Sequence, residues 1–380
     1  MGKRLIVSSD SHVVEPPTLW TDRMDKKKWG TRIPRLERGD PFDKWYCDNI
    51  GVGVLGGISQ FGKRYSQPES ITLEGSFADV PQGGYVPKAH VEDLDVDGVW
   101  ADVLYPSIGL NVYALPDQVL LRDVNRAYND WLIDFCNAYP DRLKGIAMLI
   151  LDEDIEGAIG EMTRCARAGM CGVMIPVMPR PHEGYNLPLY EPFWAAAHDL
   201  GMPISLHTGT NRPGSTTMRS LDGKISQTGV DRSNTDYWAR MSMGHIIFSG
   251  VLERYPNLKI VNVEHDLAWI PYYMQRMDVT YIERPPQAPY RFKNGMVPSD
   301  FMKRQVYHSF QDDGLGVQMR QLIGLDKLVW ASDYPHAEST FPRSQAVLDE
   351  ILAGVPENEI KMIVADNCID LYDLKVTAPT

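Results

Sequence analysis

Short apolar runs alternate with amphipathic segments of helical period from about His90 to the end of the chain, and this alternation constrains the fold most. With the opening run Leu5-Ile6-Val7, the predicted strands are 99–105, 143–149, 171–177, 203–207, 258–263, 304–310 and 327–331. Predicted helices lie at 90–97, 119–138, 155–168, 190–200, 235–254, 267–278, 314–323, 344–352 and 360–365. Runs of β-branched residues without polar alternation indicate strands covered on both faces. Strands that alternate with helices pair in parallel. Eight such units favour a closed α/β fold, the (β/α)8 TIM barrel, over an open doubly wound sheet. The 380 residues suit one such domain.

The stretch 19–88 interrupts the pattern. It is rich in Gly, Pro and charge, with Trp20, Trp29, Trp45 and Tyr46 scattered through it. Long irregular segments in compact domains are usually lids or insertions, so this one is expected to fold over the barrel mouth, with a small hairpin. Its aromatic residues are expected mainly to pack the insertion onto the barrel. Its glycine cluster at 51–57 lacks the strand–helix context of a dinucleotide fingerprint.

The chemistry gathers where strands end. Asp10, His12 and Glu15 follow the first, His207 the fifth, His265 and Asp266 the sixth, and Asp333 with His336 the eighth. In a parallel barrel all these ends meet on one face, where active sites are built. Imidazoles and carboxylates together suit Zn, Mn or Fe(II), and a catalytic ion keeps about three protein ligands and an open position. The expected ligands are Asp10, His12, His207 and Asp333. His265 is expected beside the metal as proton donor or acceptor, because imidazole titrates near neutrality. If Glu15 turns inward, Glu15 and His265 can hold a second ion. Arg212, after the fifth strand, and His336 are the expected substrate contacts. His308 is as consistent with a satisfied core histidine, His245 with a structural helix residue. No role is read for His90, His182 or His198.

Four segments carry a resemblance. Asp10-x-His12-x-x-Glu15-Pro16, Leu206-His207-Thr208-Gly209, Glu264-His265-Asp266-x-x-Trp269-Ile270-Pro271-Tyr272 and Ala331-Ser332-Asp333-Tyr334-Pro335-His336 resemble the amidohydrolase superfamily. The branch is the amidohydrolase-2, or aminocarboxymuconate-semialdehyde-decarboxylase-like, family. The resemblance spans almost the whole chain. It implies a metal-dependent barrel enzyme, with non-oxidative decarboxylases, hydrolases and hydratases among its members. By position it makes Asp10, His12 and His207 ligands, His265 the catalytic histidine, and Asp333 both ligand and acid/base. Two departures stand out. The first ligand is Asp10 where much of the superfamily has His, which tilts preference towards Mn or Fe over Zn. The lysine that bridges two metals in dinuclear hydrolases is absent from 172–176.

Three functions follow as expectations. The first is a hydrolase or non-oxidative decarboxylase acting on a small carboxylate or carbonyl compound, with an aromatic one among the options. The second is a dinuclear Fe or Mn/Fe oxygen-activating hydroxylase on the same barrel. The third is a non-catalytic partner subunit. One or two divalent ions per chain are expected accordingly. The resemblance also implies an oligomer, either of this chain alone or with a related subunit.

The bulk numbers exclude other classes. Net charge is −12 with no basic stripe, which argues against nucleic acid. No apolar run reaches the length of a membrane span. Five cysteines, an odd number without a Cys-x-x-Cys pair, read as reduced thiols. With no apolar leader at the start, a cytoplasmic location is expected.

Overall fold

Apolar strands buried on both faces need partners on both edges and helices on the outside, and the computed structural model supplies both. It describes residues 4–40, 42–72, 74–213 and 229–376. Along the chain run β1 (Val7–Val13), then β2 (Arg35–Glu37), β3 (Lys44–Cys47) and β4 (Ile50–Val54) of the insertion. There follow β5 (Ala101–Pro106), β6 (Leu143–Met148), β7 (Gly172–Ile175), β8 (Ile204–His207), β9 (Ile260–Val263), β10 (Val306–Phe310) and β11 (Leu328–Trp330). Strands β1 and β5 to β11 form one eight-stranded sheet in chain order, and each neighbouring pair is parallel. The barrel closes just beyond β11, where the Asp333 N–H donates to the Asp10 carbonyl (2.9 Å) and the His12 N–H to the Tyr334 carbonyl (2.6 Å). The fold is a (β/α)8 barrel.

The first strand differs from expectation. It does not stop at Val7 but continues through Val13, so Asp10 and His12 lie within it. The polar residues tolerate this because their hydroxyls are paired inside the barrel. Ser8 Oγ lies 2.9 Å from Ser11 Oγ, and Ser9 Oγ lies 2.9 Å from Ser309 Oγ. The pairing of β1 with β5 shifts register between Ser8 and Ser11. Such a bulge re-aims side chains near a site.

The helices follow the expected segments, with short additions such as Leu19–Arg23 and Ile108–Val112 and two larger differences. Pro298–Gln305 is helical just before β10. Its start is set by Pro298 at the first turn and by the Asp300 carboxylate accepting from the Val297 N–H at 2.9 Å. The terminal helix is longer than expected, running from Glu357 to Tyr372 through π-type turns at Met362–Asp366.

The insertion holds a three-stranded antiparallel sheet, β2–β3–β4, rather than a lone hairpin. Trp20 and Trp45 are fully buried and pack edge-to-face at 5.4 Å. The Trp20 indole N–H donates to the Val124 carbonyl at 3.1 Å, which ties the insertion to the helix Gln118–Asn137. Further along, the Ala337 N–H donates to the Gly57 carbonyl (3.0 Å), and Arg64 reaches the Glu338 carbonyl and the Asp312 carboxylate. Among the described residues no helix is long and apolar enough to cross a membrane.

One buried carboxylate joins the two ends of the barrel. Asp97, at the end of the helix Pro87–Asp97, accepts from the Ser344 N–H at 3.0 Å and from the Ser344 hydroxyl, at the start of Ser344–Ile351. Burial pushes its carboxyl up to about 6, against the opposing pull of the Ser344 bonds. Asp97→Ala leaves those donors unpaired and is expected to lower unfolding free energy by about 1–3 kcal/mol in denaturant titration. Because the folded carboxyl binds its proton more tightly than the unfolded one, this group's contribution to stability falls as pH rises from about 4 to about 6. Asp97→Asn is expected to flatten that part of the stability–pH curve.

Candidate metal centre

His12 and His207 each use one ring nitrogen to fix the other. His12 Nδ1 lies 2.8 Å from the Pro106 carbonyl, at the end of β5, and His207 Nδ1 lies 2.9 Å from the Thr208 carbonyl. A carbonyl only accepts, so Nδ1 carries the proton in both rings and Nε2 presents a lone pair. The two Nε2 atoms converge on Asp10, at 3.4 Å and 3.5 Å from its Oδ1. Asp333 Oδ1 lies 3.1 Å from His12 Nε2. Two ligands each about 2.1 Å from one ion, at an angle near 100°, stand about 3.2 Å apart, which matches these spacings.

Burial makes the case stronger. Asp10 and Asp333 are 1% exposed and the two imidazoles 0%. Among the described residues, both oxygens of each carboxylate, and both Nε2 atoms, lack a hydrogen-bond partner. Buried polar atoms are otherwise almost always paired, and an unpaired buried charge is expensive. Four residues with unpaired donors on one space fit a divalent cation. The expected ligands Asp10, His12, His207 and Asp333 are therefore brought together.

His336 belongs to the same cluster. Its Nδ1 lies 3.1 Å from Asp333 Oδ1 and its Nε2 lies 2.9 Å from Ser107 Oγ. Its ring stacks on His12 at 3.8 Å. Burial pushes the Asp333 carboxyl up, but the His336 imidazole beside it outweighs that and holds the group below the usual carboxylate range.

His265 sits in the loop after β9 and is 1% exposed, with both ring nitrogens unpartnered among the described residues. Burial, helped by the His207 and His308 imidazoles, pulls it down to about 3, so the ring is neutral near pH 7. Glu264 and Asp266 on either side adopt left-handed backbone (φ 61° and 55°), as does Asp333 (φ 59°). Such conformations concentrate at functional sites.

Two expected residues are engaged elsewhere. Glu15 is fully buried, and its carboxylate accepts from the Ile108 N–H (2.9 Å) and the Gly109 N–H (2.8 Å), capping the short helix Ile108–Val112. Burial raises its pKa, with those two bonds opposing. Arg212, expected on a substrate, is instead 0% exposed. Its Nε donates to Asp152 Oδ2 at 3.0 Å, and its Nη1 to the carbonyls of Leu115 (2.8 Å) and Tyr113. A loop arginine expected to meet a substrate is a buried ion pair because Asp152, after β6, lies beside it.

His308 is a buried core residue 3.4 Å from Asn262 Nδ2, pulled by burial to about 3. His90 bonds Asp102 Oδ2 at 3.1 Å and the Gly83 carbonyl at 2.7 Å. Sequence reasoning passed over Ser107 and Ser332. Ser332 Oγ lies 3.2 Å from Ser11 Oγ, under the site. Ser332 directly follows the predicted strand 327–331 and Ser107 lies two residues past 99–105, a signal that the heavier side chains beside them obscured.

The amidohydrolase model of the amidohydrolase-2 type matches residues 101–374. The chain belongs to the amidohydrolase-2 family. A gamma-resorcylate decarboxylase of Rhizobium sp. (strain MTP-10005) is 26% identical over 257 residues, 64% of this chain and 77% of that protein. A 2-amino-3-carboxymuconate-6-semialdehyde decarboxylase of Dictyostelium discoideum is 22% identical over 312 residues, 80% of each. An amidohydrolase structure from Mycobacterium avium subsp. paratuberculosis K-10 has the same fold, with TM-score 0.81 at 20% identity over 98% of this chain and all of that one. The family and the donor set make this a metal-dependent enzyme.

Metal binding to the folded state alone stabilises it by about 2.7 kcal/mol at a free concentration of 100 times Kd. Chelator-treated protein is expected to gain about that much on adding Mn²⁺, read by thermal unfolding. Asp10→Ala and His207→Ala are expected to abolish the gain.

Proposed function

We propose that this amidohydrolase-2 enzyme is a non-oxidative decarboxylase of a small aromatic carboxylate. The observation that carries the reading is the buried set Asp10, His12, His207 and Asp333 with unpartnered donor atoms, flanked by the neutral imidazole of His265. Relatives named as decarboxylases of aromatic or unsaturated acids support it. A decarboxylase from Polaromonas sp. JS666, solved with manganese and the inhibitor 2-nitroresorcinol, has TM-score 0.65 at 20% identity over 98% of each chain. With two carboxylates among four donors, a hard ion of the manganese type suits the set.

Bound there, the ion supplies positive charge for the substrate carboxylate and a neighbouring oxygen. The chain does the rest. Decarboxylation exchanges a carbon–carboxylate bond for a carbon–hydrogen bond and releases CO₂, so one proton must arrive at that carbon. We assign the transfer to Asp333 and His265. Asp333, held as a carboxylate, takes a proton from solvent water and passes it to the carbon as the carboxylate leaves as CO₂, and the hydroxide left behind hydrates that CO₂ to bicarbonate. His336, with Nδ1 3.1 Å from Asp333 Oδ1 and Nε2 held 2.9 Å from Ser107 Oγ, packs beside that carboxylate and limits its movement. His265 is a neutral ring that both donates and accepts. We assign Arg212 a structural role.

Glu15 supports one ion rather than two. Both its oxygens already accept backbone N–H groups, so a second ion would have to displace those bonds. The five thiols, none in a disulfide, fit a reducing cytoplasm, and we propose a homo-oligomer.

The test is CO₂ release from a panel of hydroxybenzoates and related acids with Mn²⁺ present. Asp333→Asn and His265→Ala are each expected to lower kcat by about 10²–10⁴-fold. Full activity in both variants with a verified substrate overturns the assignment. Metal analysis of anaerobically purified protein is expected to give about one ion per chain, in Glu15→Gln as in the parent. About two irons with oxygen uptake overturns the one-ion reading.

A further inference from the structure

We infer that Asp313, on the loop after β10, is the positioning residue for His265. The inference rests on the assignment of His265 to proton transfer. Unlike His12 and His207, His265 has no hydrogen bond on either ring nitrogen among the described residues. No described residue bonds its ring, and its place is set by its backbone. That backbone is unusual, with left-handed residues on both sides at Glu264 and Asp266. Left-handed conformations in two of three successive residues persist only where the surroundings over-determine them.

Asp313 supplies that determination. Its Oδ2 accepts from the Leu267 N–H (2.8 Å) and the Ala268 N–H (2.9 Å), the second and third residues after His265. Its Oδ1 accepts from the Gly316 N–H at 2.8 Å. One carboxylate thus joins the loop after β9 to the first turn of Gly314–Gln318. Packing reinforces the joint. A Cβ on Gly316 would lie 2.3 Å from Leu267 Cβ and 2.5 Å from Asp313 Oδ2. Only glycine lets the His265 loop lie this close. On the loop's own side, the Trp269 indole N–H donates to the His265 carbonyl at 2.6 Å. None of these groups belongs to the Asp10, His12, His207 and Asp333 set, so the joint can fail while the metal ligands stay in place.

Asp313→Asn keeps the size of the side chain but turns one acceptor oxygen into an N–H donor facing backbone donors. Gly316→Ala keeps the carboxylate and pushes the loop instead. Both are expected to lower kcat about 10–100-fold, the range for groups that orient a site residue. KM is expected to change less than about 3-fold, and bound Mn²⁺ per chain to match the parent. Asp154→Asn, which alters the equivalent cap of the helix Ile155–Arg167 (Gly157 N–H to Asp154 Oδ1, 2.8 Å), is expected to keep the parental kcat. Crystal structures of Asp313→Asn and Gly316→Ala are expected to show His265 displaced and the four metal-binding side chains unmoved. A parental kcat in both variants, loss of Mn²⁺ with kcat, or an unmoved His265 overturns the inference. If the parent protein shows no decarboxylation, a displaced His265 still upholds Asp313 while the proposed reaction fails.

Discussion

Two carboxylates, Asp10 and Asp333, share one buried space with two imidazoles, and the rest of the molecule is arranged around that charge. An ionised carboxylate out of water costs several kcal/mol unless it is compensated. Asp333 is compensated in part by His336 and His12. Asp10 has an unpaired carboxylate facing His12 and His207. A cation between them resolves the imbalance. The same residues also close the barrel, through the bonds from Asp333 N–H to the Asp10 carbonyl and from His12 N–H to the Tyr334 carbonyl. Ligand geometry and barrel closure are therefore one constraint. A change that opens the seam between β1 and β11 separates the donors, and a change in the donors strains the seam.

The interior beneath the site reflects the same demand. Barrel cores are usually filled by bulky branched side chains. Here Ser8, Ser9 and Ser11 stand on β1, against Ser309 and Ser332. The register shift in β1 leaves backbone groups to satisfy, and small hydroxyls do so. Ser8 Oγ donates to the Asp10 carbonyl at 2.9 Å and accepts from the Ser332 N–H at 2.9 Å. Larger apolar residues there would fill space but leave those groups unpaired, at about 1–3 kcal/mol each.

Much of this was legible in the residues. Eight apolar runs announced the barrel because burial on both faces leaves a continuous apolar pattern. Asp10, His12, His207, His265 and Asp333 stood out because strand ends of a parallel barrel converge. What was hidden depends on contacts between distant segments. The first strand appeared to end at Val7 because three serines and an aspartate look like a turn, and only Ser309 and Ser332 across the barrel show why they are not. Arg212 looked available to a substrate because Asp152, its partner, lies 60 positions earlier. The helix Pro298–Gln305 was obscured by a short apolar stripe of Phe301 and Met302 in a polar, proline-rich region. The orientation of Glu15 was open in the chain because its partners are backbone amides, which have no sequence signature.

The histidines divide by how they are held. His12 and His207 each lock one nitrogen onto a backbone carbonyl, which fixes a single tautomer and leaves one lone pair aimed at the ligand space. That suits a permanent bond to an ion and prevents the ring from exchanging protons freely. His265 has neither nitrogen committed to a described residue. A ring in that state can gain a proton on one side and lose it from the other without breaking a bond to its own protein. Its low proton affinity, set by burial, means that any proton it takes is readily passed on. Freedom of the ring demands rigidity of the chain beneath it, since an imidazole with no hydrogen bond of its own keeps its aim only if its Cα is fixed. Strands provide that rigidity for the ligands. For His265 it has to come from a loop, and a loop is made rigid by bonds to other loops.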